Sequence, residues 1–294
     1  MKIKTAFLIV ILSFLSCKSK KAINTEVAKV KPAPTEVNYI PYFLAAEKAK
    51  KLYDNKEYEQ AYNLLDSLFD TYGVRNTFLI NEYNIFFDLS ARLNKTHNLE
   101  NIEIYVYSKL GLDPRFYEEN ARDYVLKNSS LDSLEITRLK KMYANGLMPV
   151  LQDTLKSMIE RDQKVRMDGY DVDAFENVSF INDRQLIDII KANGFPTVQQ
   201  IDETTVFSGI LAMLMHLKPT EKLELQPILF QEVKKGTCPP FIYALMLDKE
   251  TMINNNDIGF PYYGTVDNRI PADTTACNNA RETIGLPRIR FAKQ

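Results

Sequence analysis

The chain reads as nearly all-α on three observations. Apolar residues recur at helical spacing over residues 42–69 and again through the C-terminal half. No stretch combines sustained alternation with β-branched residues, as a half-buried strand would. Helix start and stop chemistry is in place around one such run, with Asp132 and Glu135 spaced as a capping box and Asn145-Gly146 at the far end. The expected architecture is a helical region over 39–127 followed by an all-α, or nearly all-α, C-terminal domain over 128–294.

Taken in order, the elements begin with a leader. Lys2 and Lys4 form a basic start, residues 6–15 are apolar, and Ser16 precedes Cys17. The apolar run is well short of the ~20 residues a bilayer-spanning helix needs, so it reads as a secretory signal. With the cysteine at the cut point, residues 1–16 resemble a bacterial lipoprotein signal peptide. That resemblance implies a lipid on Cys17, and the lack of Asp after it implies the outer membrane, facing the periplasm. An ordinary secretory signal cut nearby, or an uncut anchor, is the alternative. Residues 17–38 lack tryptophan and phenylalanine, carry Lys18, Lys20 and Lys21, and contain Pro32-Ala33-Pro34, the composition of a tether.

From 42 to 69, Ala45, Ala49, Leu52 and Tyr53 and then Ala61, Leu64, Leu65 and Leu68 fall on two helical faces, split by the polar break at residues 54–57. Small residues at Ala49 and Ala61, with Tyr58 past the break, let the two helices approach closely. The pattern resembles a tetratricopeptide hairpin, with Ala49, Leu52, Tyr58, Ala61 and Leu65 on its framework places. A weaker copy lies over 78–110, its second helix carrying Leu99, Ile102 and Val106 after a turn at 94–98. A plain α-hairpin explains the same residues.

Asp113-Pro114 predicts a helix over 114–126, and the capping box at Asp132 another that ends at Asn145-Gly146. Further helices are predicted over 148–167, 183–193, 206–217, 222–235, 239–250 and 275–284.

The C-terminal half also holds an ordered series of short motifs. They are Arg161-Asp162-Gln163 with Arg166, Asn193-Gly194-Phe195-Pro196, Leu214-Met215-His216, Asp248-Lys249, Tyr263-Gly264-Thr265, and Arg281 with Ile284-Gly285-Leu286-Pro287. In order and spacing, residues 148–290 resemble the domain-of-unknown-function family numbered 6624. Phe195 stands where that family commonly has tryptophan, Lys249 where it has arginine, and residues 254–257 form an insertion. The family has no established activity, so the resemblance marks positions and assigns no role.

Lys and Arg number 37 against 38 Asp and Glu, so the balance gives no electrostatic case for nucleic acid. The 45% hydrophobic and 11% aromatic content describe a globular chain with a core. After Cys17 is assigned to lipid, Cys238 and Cys277 remain. In an oxidising compartment they either form a disulfide, worth about 3–4 kcal/mol on the chain-entropy model, or stay as two thiols. No cysteine or histidine spacing suggests a metal, and no cofactor motif is present: G-x-S-x-G, H-E-x-x-H, the P-loop, G-x-G-x-x-G and the EF-hand loop are all absent.

His216 is the strongest single candidate for chemistry. It ends an apolar helix just before Pro219 and could serve as general base or acid, if Asp162, Asp183 or Asp248 orients its ring. A core histidine satisfying the last helix carbonyls is the competing reading. Asp162, Gln163 and Arg166 share a helical turn and form either a polar wall or an ordinary ion pair. Tyr263-Gly264-Thr265 forms a loop that could close over a ligand or cover a helix end. His97 lies in a polar turn and is expected to be solvated. The expected function is a lipid-anchored, periplasm-facing binding or scaffolding module, with an envelope protein as partner and its small-molecule ligand undefined. The alternative is an envelope hydrolase using His216 with Asp162 or Asp248.

Overall fold

The computed structural model describes residues 37–75, 77, 81–112, 119–167, 171–202, 204–253, 261–266 and 273–289. The leader, Cys17, the tether up to residue 36, Pro114, the insertion 254–257, Gly259 and Phe260 lie outside them. Among the described residues there are thirteen α-helices, one π-helical segment and no strand, which establishes the all-α class. None of these helices is long and apolar enough to cross a membrane. Residues 36–294 form one compact unit.

α1 (Ile40–Asp54) and α2 (Tyr58–Tyr72) pack as a hairpin across the turn at 55–57. Ala49, Ala61 and Leu65 are fully buried, so the small residues do bring the two helices together. α3 (Glu82–Leu93) adds Phe86, whose ring stacks on Tyr62 at 4.7 Å and meets Phe69 edge-on at 5.3 Å. α4 (Leu99–Tyr105) continues directly into the π-helical segment Val106–Leu110, a change of period the sequence does not announce. α5 (Glu119–Asn128) overlaps the helix expected from 114, whose first residues are outside the described set.

α6 (Ser133–Gly146) begins as its capping chemistry predicts: Asp132 accepts a hydrogen bond from the Glu135 N–H at 2.7 Å. α7 (Pro149–Met167) follows and packs against α8 (Val172–Asn193). α8 starts eleven residues before the 183–193 expected. The reason is that its first half lies on the surface: Phe180 and Ile181 are exposed, so no apolar face marks that stretch as helix. What starts it is Asp171, whose carboxylate accepts from the N–H groups of Asp173 and Ala174.

A short α9 (Val198–Ile201), also unexpected, leads to α10 (Thr204–His216), α11 (Pro219–Lys235), α12 (Pro240–Ile253) and α13 (Thr274–Ile284). One hydrophobic core runs through both halves of this unit, from Tyr42 and Phe86 to Leu225, Leu229 and Leu247. Each fully buried side chain of this size contributes about 1.5–3 kcal/mol. The halves also meet through backbone, because the Tyr39 N–H bonds to the Lys234 carbonyl at 2.8 Å, and α1 packs on α13.

Candidate functional site

α7, α8 and α10 enclose a cavity of about 270 Å³. From α7 it receives Asp162, Gln163 and Arg166, from α8 Phe175 and Asp183, and from the end of α10 His216; Lys218 closes one side. Four of the residues singled out in the sequence, Asp162, Gln163, Arg166 and His216, therefore meet on one cavity wall. Gly209 makes the close approach of α10 to α7 feasible. A Cβ at that position would lie 2.2 Å from Cδ1 of Ile159.

Arg166 holds Asp162 in a two-point grip, Nε to Oδ2 at 2.9 Å and Nη2 to Oδ1 at 3.1 Å. Gln163 donates to the same carboxylate at 3.1 Å, and the guanidinium lies 4.7 Å above the Phe175 ring. Behind this wall, Arg161 donates to Oδ1 of Asn182 through Nη2 at 2.8 Å and through Nε at 3.2 Å, while Asn182 Nδ2 donates to the Met158 carbonyl at 2.9 Å. That brace, with Asn182 buried and Arg161 half-buried, fixes α7 against α8. Asn182 escapes sequence reasoning because its partners lie on another helix.

His216 is exposed toward the cavity, which removes the reading of it as a core histidine. Partial desolvation of its imidazole is the largest influence on its acidity. That effect, with the positive charges of Arg166, Lys249 and Lys222, lowers its pKa despite Asp162. The ring is thus uncharged at neutral pH and presents a nitrogen lone pair. Lys222 is fully buried, and its ammonium donates to the Met215 carbonyl at 3.0 Å, anchoring the end of α10 that carries the histidine.

Asp183 supplies the opposite chemistry. It is 6% exposed and hydrogen-bonded to the Glu221 carboxylate, itself 4% exposed. Burial first, and the like charge of Glu221 second, raise the Asp183 pKa to about 7. Glu221 is fixed at the third position of α11, where Oε2 accepts the Lys218 N–H at 3.0 Å and Oε1 faces Arg184 Nη2 at 3.3 Å. A carboxyl raised to about 7 at Asp183 and the neutral imidazole of His216 thus line one cavity, a combination suited to giving and taking protons. From sequence, Asp183 stands out only as a partner for His216. The spacing of Asp183 and Glu221 gives no signal for this pairing.

Asp248 does not line this cavity. It is fully buried on α12, and both carboxylate oxygens are occupied: Oδ1 by the Tyr263 N–H, Oδ2 by the Thr265 N–H and hydroxyl, each at 2.6 Å. As an acidic partner for His216 it is spent. Tyr263, Gly264 and Thr265 accordingly form a loop strapped onto α12, with Gly264 in the left-handed region at φ +68°. Arg281 completes the strap by donating to the carbonyls of Tyr263 and Pro287, each at 2.6 Å.

The disulfide alternative is corrected by the structure, in which Cys238 and Cys277 are both free and buried. The Cys238 thiol turns to the Pro239 carbonyl at 3.7 Å, and burial pushes its pKa well up. His97 is exposed as expected, yet not free: Nδ1 lies 2.8 Å from Asp66, which raises its pKa. Asp66, Asp70 and His97 place ligand-type atoms within 4.8 Å of one another. The Asn98 amide already donates to both aspartates, so the group stands as a hydrogen-bonded cluster and is assigned no ion.

What the fold and cavity define, among the described residues, is an all-α body with a cavity of mixed polarity between α7, α8 and α10. No protein-family model matches the chain, and neither a curated protein nor a solved structure does.

Proposed function

We propose that this chain is an envelope lipoprotein, held by lipid on Cys17 at the outer membrane and facing the periplasm, whose helical body binds a small polar ligand in the α7–α8–α10 cavity. One observation carries the binding reading: Asp162, Gln163, Arg166, Asp183 and His216, far apart in sequence, line the same cavity. Donors and acceptors stand side by side there, with Phe175 as an apolar platform, so a ligand rich in hydroxyl or amide groups fits better than a simple ion. Native mass spectrometry of the purified chain incubated with soluble envelope fragments tests this. An adduct that disappears in Arg166→Ala and His216→Ala supports the proposal; adducts identical in the parent and both variants sink it. For the anchor, Cys17→Ala should move the protein out of the membrane fraction.

The second reading is a hydrolase acting on an envelope component, favoured by the neutral His216 and the raised Asp183 carboxyl lining one cavity. In it His216 is the base and Asp183, in place of Asp248, the acid. Turnover of envelope fragments that is lost in both His216→Asn and Asp183→Asn would establish it. Turnover that persists in either variant removes that residue from the chemistry.

A further inference from the structure

A second cavity, about 130 Å³, lies on the other side of α10, where α1, the π-helical segment, α9 and the 236–239 turn converge. Its walls are aromatic: Tyr42, Phe195 and Phe207 are almost completely buried, and Tyr105 faces them. Polar side chains interrupt that lining, Thr197, Gln199 and Thr237 among them, and two more bear on what it could bind. Arg75 is held by one N–H to the Tyr39 hydroxyl at 2.6 Å, with its guanidinium 4.7 Å over the Tyr39 ring. This contact fixes the orientation of the guanidinium while using one of its five N–H groups. Thr77 is 8% exposed, and its Oγ1 is buried without a hydrogen-bond partner.

A close-packed interior seldom leaves a void of this size beside an orphaned hydroxyl. Flat rings as walls, an oriented guanidinium and a waiting hydroxyl together define a receptor for a planar apolar group that ends in an anion. We propose that this cavity is a second ligand site, taking a small aromatic carboxylate, with the ring among Tyr42, Phe195 and Phe207 and the carboxylate bound by Arg75 and Thr77. Glu82 is the group that opposes an anion here. It is fully buried and takes hydrogen bonds from the Thr77 N–H at 2.7 Å and the Tyr42 hydroxyl at 3.4 Å. Around the Tyr42 hydroxyl, the other ionisable groups are Tyr105 and Arg75. Burial raises the Glu82 pKa to about 7, so at pH 6 it is mostly protonated and its opposition is slight.

The test is saturation-transfer NMR on the full chain at pH 6 with benzoate as probe and benzyl alcohol as its uncharged counterpart. For a ligand of nine heavy atoms, a Kd on the order of 1 mM or tighter is expected. Benzyl alcohol should bind at least about ten-fold more weakly, since it lacks the charge for Arg75. Arg75→Gln, an exposed position, should weaken benzoate by a similar factor, and the isosteric Thr77→Val by a smaller one. Thermal melts of both variants report whether the fold is kept. No transfer to benzoate, equal affinity for benzyl alcohol, or an unchanged Kd in a folded Arg75→Gln each overturns the proposal. His216→Ala should leave benzoate binding intact, so the outcome is independent of the α7–α8–α10 site.

Discussion

The α7–α8–α10 cavity and the strap on α12 are built from similar side chains, aspartates and arginines in short motifs, and they serve opposite ends. In the strap, every oxygen of Asp248 has a donor, and Arg281 spans two carbonyls. In the cavity, Asp162 and Arg166 grip each other at the surface, His216 faces open space, and the Asp183 carboxyl is raised to about 7 by burial and the charge of Glu221. A polar motif whose valences are all filled by its own chain is architecture; one left with unused donors and acceptors beside a void is available for chemistry. Residue type alone does not separate the two.

The sharpest way to break the comparison is Asp248→Ala. It should destabilise the chain by about 3–5 kcal/mol in urea unfolding, because two buried N–H groups lose their acceptor. Next comes Asp183→Asn. With its folded pKa raised to about 7, Asp183 adds stability that is complete below about pH 4 and is lost as pH rises through 7. The parent should thus lose stability over that window, by at most about 4 kcal/mol from this residue. Asn should flatten the slope partly, since Glu82 and Glu103, also raised to about 7, titrate there too. Denaturant midpoints between pH 4 and 8 read both. Gly209→Ala should cost about 1–3 kcal/mol by forcing Ile159 aside, and should shrink the cavity. Smallest of all, Arg166→Ala should change stability by less than about 0.5 kcal/mol, as expected of a surface ion pair, while abolishing ligand capture. A large stability loss in Arg166→Ala would place the cavity in the same class as the strap.

Sequence made visible what is local. The break at 54–57, the cap at Asp132, the stop at Asn145-Gly146 and the four-residue spacing of Asp162 and Arg166 are written within a turn or two of chain, and each is found. The first half of α8 is hidden because several of its apolar residues, Val172, Phe180 and Ile181, face solvent. The π-helical segment and α9 leave no periodic trace over so few residues. Within the site, His216 and the Asp162 turn could be suspected by residue type. The Asp183–Glu221 pair arises only when α8 meets α11, and the assignment of Asp248 to the strap depends on a loop that returns to α12. Both are tertiary facts.

The hydrogen bond from Tyr39 to Lys234 joins the residue just before α1 to the far end of α11. A pull applied at residue 37 would therefore load the C-terminal helices at once, rather than peeling α1 away turn by turn. Single-molecule stretching from that end should meet its first resistance at this clasp, and a body built so can hang from a leash without unravelling at the knot.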